Sequence, residues 1–201
     1  MNQLAQKLSS FFVFHGLISY DEQHIYTYCF EIILSTIFAW GSVICIAILA
    51  NLIFPTVLYM GGFFLFRSLS GGYHAKTHLN CYLISLMTFF LFLFTAKFLP
   101  ANGYWIVSIA FIMIASPTLF FLGPVDHKNN PFADDEKRQL KTKIHILLFI
   151  YLFITLFLLY LNYVSIVFYC SCGFLQAAIS VAVAFIFKRK EEKICINFSS
   201  N

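Results

Sequence analysis

The sequence predicts an all-α, polytopic integral membrane protein with about six transmembrane segments and an N-terminal interfacial amphipathic helix. Three observations carry that prediction. Hydrophobic residues fill 60% of the 201 positions and charged residues 11%, against about 25% charged in an ordinary soluble domain. The mean hydropathy is +0.81. The charges that do occur collect in polar stretches between apolar runs of about 20 residues, the length at which a helix crosses a hydrocarbon core of about 30 Å.

Residues 1–28 set Leu4, Leu8, Phe11, Phe12, Phe14, Leu17 and Ile18 among polar residues at helical spacing. That stretch is too polar to span and is expected to lie in the interface. It also lacks the apolar core and small-residue cleavage site of a signal peptide, so retention of the N-terminus is expected. Apolar runs follow near 29–50, 52–66, 80–99, 104–123, 144–162 and 164–187. The second is bounded by Asn51 and Arg67 and carries Pro55. At about 1.5 Å per residue it reaches only about 22 Å, which predicts a tilted, thinned or re-entrant segment.

Lys and Arg decide the orientation. The stretch 67–81 holds Arg67 and Lys76, the loop 125–143 holds Lys128, Lys137, Arg138, Lys141 and Lys143, and the tail holds Lys188, Arg189, Lys190 and Lys193. The alternate loops hold only Lys97, near one end. The positive-inside rule therefore places both termini, the 67–81 stretch and the 125–143 loop in the cytoplasm of a multi-pass cell-membrane protein. The net charge of +4 is too small and too confined to these loops to point to nucleic acid. No repeat or second domain is visible, so residues 1–201 read as one membrane-embedded domain. Within the long loop, Asp134-Asp-Glu-Lys-Arg138 is expected to open the fifth spanning helix, with acidic residues in its first turn and Asp134 as a candidate cap.

The chemistry concentrates in 67–81, a polar island holding Arg67, Gly71, Gly72, His74, Lys76, His78 and Cys81. Ionisable groups at a membrane boundary cost free energy unless they are paired or used. A thiol becomes a good nucleophile as thiolate, which a nearby imidazole or a helix N-terminus stabilises. Cys81 stands near the start of the third apolar run, where the positive end of a helix dipole favours the anion. Two imidazoles are candidate bases. On a continuous helix His74 would lie about 10 Å from Cys81 along the axis, too far for proton transfer, so it works only if the chain folds back, and Gly71-Gly72 gives that freedom. His78 on a helix would lie one turn from Cys81. Spacing leaves both open.

The bland alternatives stand beside this reading. Cys29, Cys45, Cys170, Cys172 and Cys195 read as small buried hydrophobes, without the spacing of a disulfide scaffold. Cys170-Ser-Cys172 has no third ligand nearby. His74 and His78 are spaced as two metal ligands on one helix face, but the glutamate base of a hydrolytic zinc site is missing; neither a metal nor a cofactor is expected.

The pattern Arg67-x3-Gly71-Gly72-x-His74-Ala75-x5-Cys81 resembles the signature of the accessory gene regulator protein B (AgrB) family. Pro124-Val-Asp126-x-Lys128-Asn-Asn-Pro131 is similar to that family's cytoplasmic proline- and aspartate-containing loop, with His127 where many relatives carry a small hydroxyl residue. Size and order of segments agree over nearly the whole chain. The resemblance implies a membrane cysteine endopeptidase with His74 as general base and Cys81 as nucleophile. It implies an AgrD-like precursor peptide as partner, cut near its C-terminus through a thioester that an internal cysteine or serine then closes into a thiolactone or lactone for quorum sensing. Arg67, Lys76 and Lys128 are then expected to steer the precursor's acidic tail, and Gly71-Gly72, Cys81 amides or Arg67 to supply the oxyanion contact, with Asp126 in the second motif as further support. A homodimer within the bilayer is one expected arrangement. From a different class, six spans with few soluble residues also fit a small transporter or a noncatalytic scaffold, but the charges cluster at span ends and no repeat is present, which disfavours transport.

Overall fold

The computed structural model describes residues 2–71, 78–125 and 133–199, with side chains described throughout except at 2, 78–81, 134 and 190–199. Every named element among them is helical. α1 is Asn2–Phe14, α2 Gln23–Leu49, α3 Ile53–Ser70, α4 His78–Phe98, α5 Tyr104–Leu122, α6 Asp134–Tyr160 and α7 Val164–Ser199, with single 3-10 turns before α2 and α5. Five helices are long and apolar enough to cross a membrane, over Tyr20–Leu49, Ile53–Ser70, Ala101–Leu122, Asp135–Tyr160 and Val164–Arg189. The apolar stretch described in α4, Tyr82–Phe98, is shorter. The chain is an all-α polytopic membrane protein, and five of the six expected segments meet that length on their described residues.

Several boundaries differ from those expected, each for a local reason. The amphipathic element does not run to residue 28. It stops at Phe14 because Gly16 turns the chain at φ +69, and the amides of Gly16 and Leu17 donate back to Val13 and Phe12 at 2.9 and 3.0 Å, a glycine-closed helix end. Residues 23–28 instead open α2. The segment that looked too short continues through Arg67 to Ser70, giving 18 residues and about 27 Å. Pro55 sits in its first turn, where a missing N–H breaks no helical bond. Asp134–Arg138 opens α6 as expected, and the helix carries the whole of 134–143 rather than leaving it as loop. Its N-cap is Ala133, with no side-chain cap, so Asp134 is the first helical residue rather than the cap. Asn51 and Asn162 both take positive φ, 56° and 61°, and so end α2 and α6 in the left-handed turn that asparagine tolerates.

The described chain divides into two compact units, one of residues 1–51 and 75–90, the other of 52–74 and 91–201. In the first, α1 lays Ala5, Ser9 and Phe12, one helical face, on α2. Ala5 and Ser9 are fully buried, Ser9 Oγ and Thr27 Oγ1 share a 2.7 Å hydrogen bond, and the Phe12 and Phe30 rings lie 5.3 Å apart. The opposite face exposes Leu4, Phe11 and Phe14, which suits an apolar solvent rather than water. Tyr82 at the start of α4 donates to Ser42 Oγ of α2 at 3.1 Å.

In the second unit α7 is the central helix. It is rich in small residues, and Val167, Phe168, Ser171, Phe174, Ala177 and Val181 are buried round much of its circumference, as a helix enclosed by neighbours requires. Phe66 of α3 packs on Phe174 at 4.5 Å and edge-on to Tyr151 of α6 at 5.3 Å. Tyr104 of α5 stacks on Phe168 at 4.2 Å. α3 and α7 meet backbone to backbone: a Cβ on Gly173 would collide with the Tyr59 carbonyl oxygen, and one on Gly62 with the Cys170 carbonyl oxygen. Small residues at a crossing are how membrane helices gain packing without a hydrophobic drive between them.

Candidate functional site

The last turn of α3 builds a closed corner. Ser70 is fully buried and its hydroxyl donates to the Phe66 carbonyl at 2.7 Å. Arg67, half-buried one turn from the helix end, donates from Nη1 to the Gly71 carbonyl oxygen. A cation in the last turn suits the negative end of the helix and satisfies a carbonyl that has no helical partner. Gly71 leaves the helix at φ +65, ψ −142, a conformation essentially reserved for glycine.

From there the chain pairs with a segment distant in sequence. Gly71 and Val125 form an isolated parallel bridge, the Val125 amide donates to the Ser70 carbonyl at 3.1 Å, and a Cβ on Gly71 would stand 2.6 Å from the Val125 carbonyl oxygen. Gly123, Pro124 and Val125, which follow α5, are all buried. The residue that precedes the first polar motif segment, 72–77, is thereby fastened to the residue that precedes the second, 126–132. Their neighbourhood was not evident from the sequence, since neither Val125 nor Ser70 carries chemistry of its own; only the buried serine and the positive-φ glycine mark the joint.

The sequence-predicted site residues distribute as follows. Arg67 and Gly71 lie in this corner, Arg67 holding the backbone that Gly71 turns. Cys81 falls in the first turn of α4, whose 21 residues run His78–Phe98, so its backbone is at the positive end of a long helix dipole. His78 is the first residue of the same helix, one turn from Cys81. The side chains of His78 and Cys81, and all of Gly72, His74, Lys76, Asp126 and Lys128, lie outside the described residues. Of the other cysteines, Cys172 is buried and Cys170 half-buried in α7, whereas Cys29 and Cys45 are exposed on the apolar α2.

Gly71→Ala is expected to unsettle the corner, because alanine pays for the left-handed backbone and meets the Val125 oxygen together, at about 1–3 kcal/mol. Thermal unfolding of the detergent-solubilised chain should show a lower midpoint for this variant. Gly41→Ala, whose Cβ meets nothing within 4 Å inside α2, should not lower the midpoint and should raise it slightly through helix propensity.

These features define a class, an all-α multi-pass membrane protein whose two polar motif segments start from one fastened corner. The family model for Accessory gene regulator B matches residues 1–188, and the chain belongs to that family. It is 37% identical over 122 residues to an AgrB-like protein of Listeria monocytogenes serotype 4a (strain HCC23), a match covering 59% of this chain and 58% of the relative. AgrB-like proteins of Listeria monocytogenes serotype 4b (strain CLIP80459) and Listeria innocua serovar 6a are each 36% identical over the same length and coverage. The chain thus spans somewhat under two thirds of the length of the curated relatives it matches. No solved structure matches it.

Proposed function

We propose that this protein is a membrane-embedded cysteine endopeptidase, a single peptidase domain that processes an AgrD-like autoinducer precursor on the cytoplasmic side of the cell membrane. The observation that carries the reading is the placement of Cys81 in the first turn of α4, in a chain whose 67–81 stretch matches the family signature. A helix N-terminus favours the thiolate, and His74 takes the thiol proton. The thiolate attacks the carbonyl carbon of the scissile peptide bond; the tetrahedral adduct collapses as the imidazolium returns its proton to the leaving amine. The C-terminal fragment departs and the upstream part remains as a thioester on Cys81.

An internal cysteine thiol or serine hydroxyl of the precursor then attacks that thioester, which closes the ring and returns the Cys81 sulfur. The thioester survives long enough only where water is kept from it, and a boundary site beside apolar helices provides partial exclusion. Lys76, Lys128 and Asp126 are proposed to contact the precursor, with Gly72 in the turn that brings His74 back to Cys81. In this reading Arg67 acts through Gly71 as a positioning residue.

Coexpression with a precursor that carries an amphipathic start, an internal cysteine or serine and an acidic tail tests the proposal. Release of the C-terminal fragment, together with a hydroxylamine-labile adduct on the chain, is expected. A chain that is folded and membrane-inserted yet releases no fragment from any such precursor refutes the peptidase reading.

A further inference from the structure

The second unit carries a basic cleft outside the motif segments. It has a volume of about 350 Å³ and is walled by Lys137 and Lys141 of α6 and Lys188 and Arg189 of α7. Its floor is the buried Gly123-Pro124-Val125 segment that follows α5. Lys137 and Lys141 are one turn apart and so share a helix face. Arg189 lies over the Phe185 ring at 4.9 Å to the centroid, which fixes its guanidinium at the mouth. Among the described residues lining the cleft none is acidic. Lys137 and Lys188 also have partners within the chain, so the contact to an anion is assigned to Lys141 and Arg189.

Position says what such a cleft would hold. Phe121 and Leu122 close the apolar α5, Lys137 and Lys141 stand in the charged first part of α6, and Lys188 and Arg189 follow the apolar run of α7, so the four cations stand where apolar helix gives way to charged sequence. One flank is Phe121, which also lines the cleft and is 74% exposed; in a chain that spans a bilayer that ring faces acyl chains. A ligand that presents an anion to Lys141 and Arg189 and hydrocarbon to Phe121 is amphiphilic. We infer that this cleft between α5, α6 and α7 binds the phosphodiester headgroup of an anionic phospholipid, with its acyl chains along Phe121. Basic pockets between helix ends at a membrane face recognise lipid phosphates by this combination of charge and depth. A soluble acidic peptide would use the cations and leave Phe121 without a role.

Native mass spectrometry of the full chain, released from nanodiscs holding equal phosphatidylglycerol and phosphatidylcholine, tests the inference. Retained adducts should favour phosphatidylglycerol, and Lys141→Gln with Arg189→Gln should cut that preference about twenty-five-fold, at roughly fivefold per neutralised charge. Lys141→Arg with Arg189→Lys, which keeps the charges, should restore it. Equal retention of the two lipids by the wild-type chain overturns the inference without recourse to any variant, and so does an unaltered preference in a monodisperse double Gln variant. Two competitors separate the sources of the anion. If millimolar inorganic phosphate displaces phosphatidylglycerol the cleft is a small-anion site, and if a hexaglutamate peptide does so it is a peptide site; either result rejects the lipid.

Discussion

Cys81→Ala is expected to abolish release of the C-terminal fragment from a coexpressed precursor, a fall of at least about a thousandfold, because the step it removes has no substitute nucleophile. Residues that act as one unit give non-additive losses. His74→Ala should therefore cost about as much alone as it does together with Cys81→Ala. His78→Ala discriminates between the two imidazoles. His78 begins α4, one turn from Cys81 on the same helix, and if it were the base its removal would be as damaging as that of His74. Under the proposed assignment it leaves release within a few-fold of wild type. Alanine is a good helix former, so Cys81→Ala should keep α4 and the far-ultraviolet circular dichroism unchanged. Fragment release by a well-folded Cys81→Ala chain would remove the proposed nucleophile.

The sequence was most legible where solvent chooses the answer. Apolar runs of spanning length had to become helices, since a bilayer leaves backbone groups no other partner; α7 contains the whole run that announced it, and α2, α5 and α6 contain all but the last one or two residues of theirs. Polar residues misled at the helix ends. Arg67 read as the boundary of the second span, yet α3 carries it inside, because its long side chain reaches back to the Gly71 carbonyl and needs no loop to be satisfied. The long loop was drawn on to Lys143 for the same reason; its Asp134–Arg138 run opens α6 as expected, and a helix accepts charge freely on an exposed surface, where Glu136, Lys137, Arg138 and Lys141 stand.

What no local rule supplies is pairing between distant segments. The Gly71–Val125 bridge joins two motifs that each looked self-contained, and the basic cleft draws Lys141 and Arg189 from opposite ends of the α6–α7 pair. Charge counting had assigned those residues to one membrane face, and the shared cleft is the three-dimensional counterpart of that count.

Gly173→Leu is expected to prevent assembly of the helical bundle altogether. A Cβ at Gly173 would overlap the Tyr59 carbonyl oxygen, stand 2.9 Å from its carbon and 2.7 Å from the Phe63 nitrogen, all backbone atoms of α3. Backbone cannot rotate aside as a side chain does, so the helices must separate. Separation would loosen Phe66 from Phe174, rings 4.5 Å apart, and would open the buried face of the central helix. Overpacking a tight interior costs typically about 1–3 kcal/mol and occasionally more. Here the obstruction is a main chain, and about 3 kcal/mol is the lower end. The paired glycines in α3 give an internal control. Gly62 would bring its Cβ onto the Cys170 carbonyl, whereas Gly61 beside it would meet nothing within 4 Å. Gly62→Ala should therefore broaden or abolish the monodisperse peak of the solubilised chain in size-exclusion chromatography. Gly61→Ala should raise the unfolding midpoint slightly, because alanine exceeds glycine in helix propensity by about 1 kcal/mol. Equal tolerance of Gly61→Ala and Gly62→Ala would show that α3 does not approach α7 through that face.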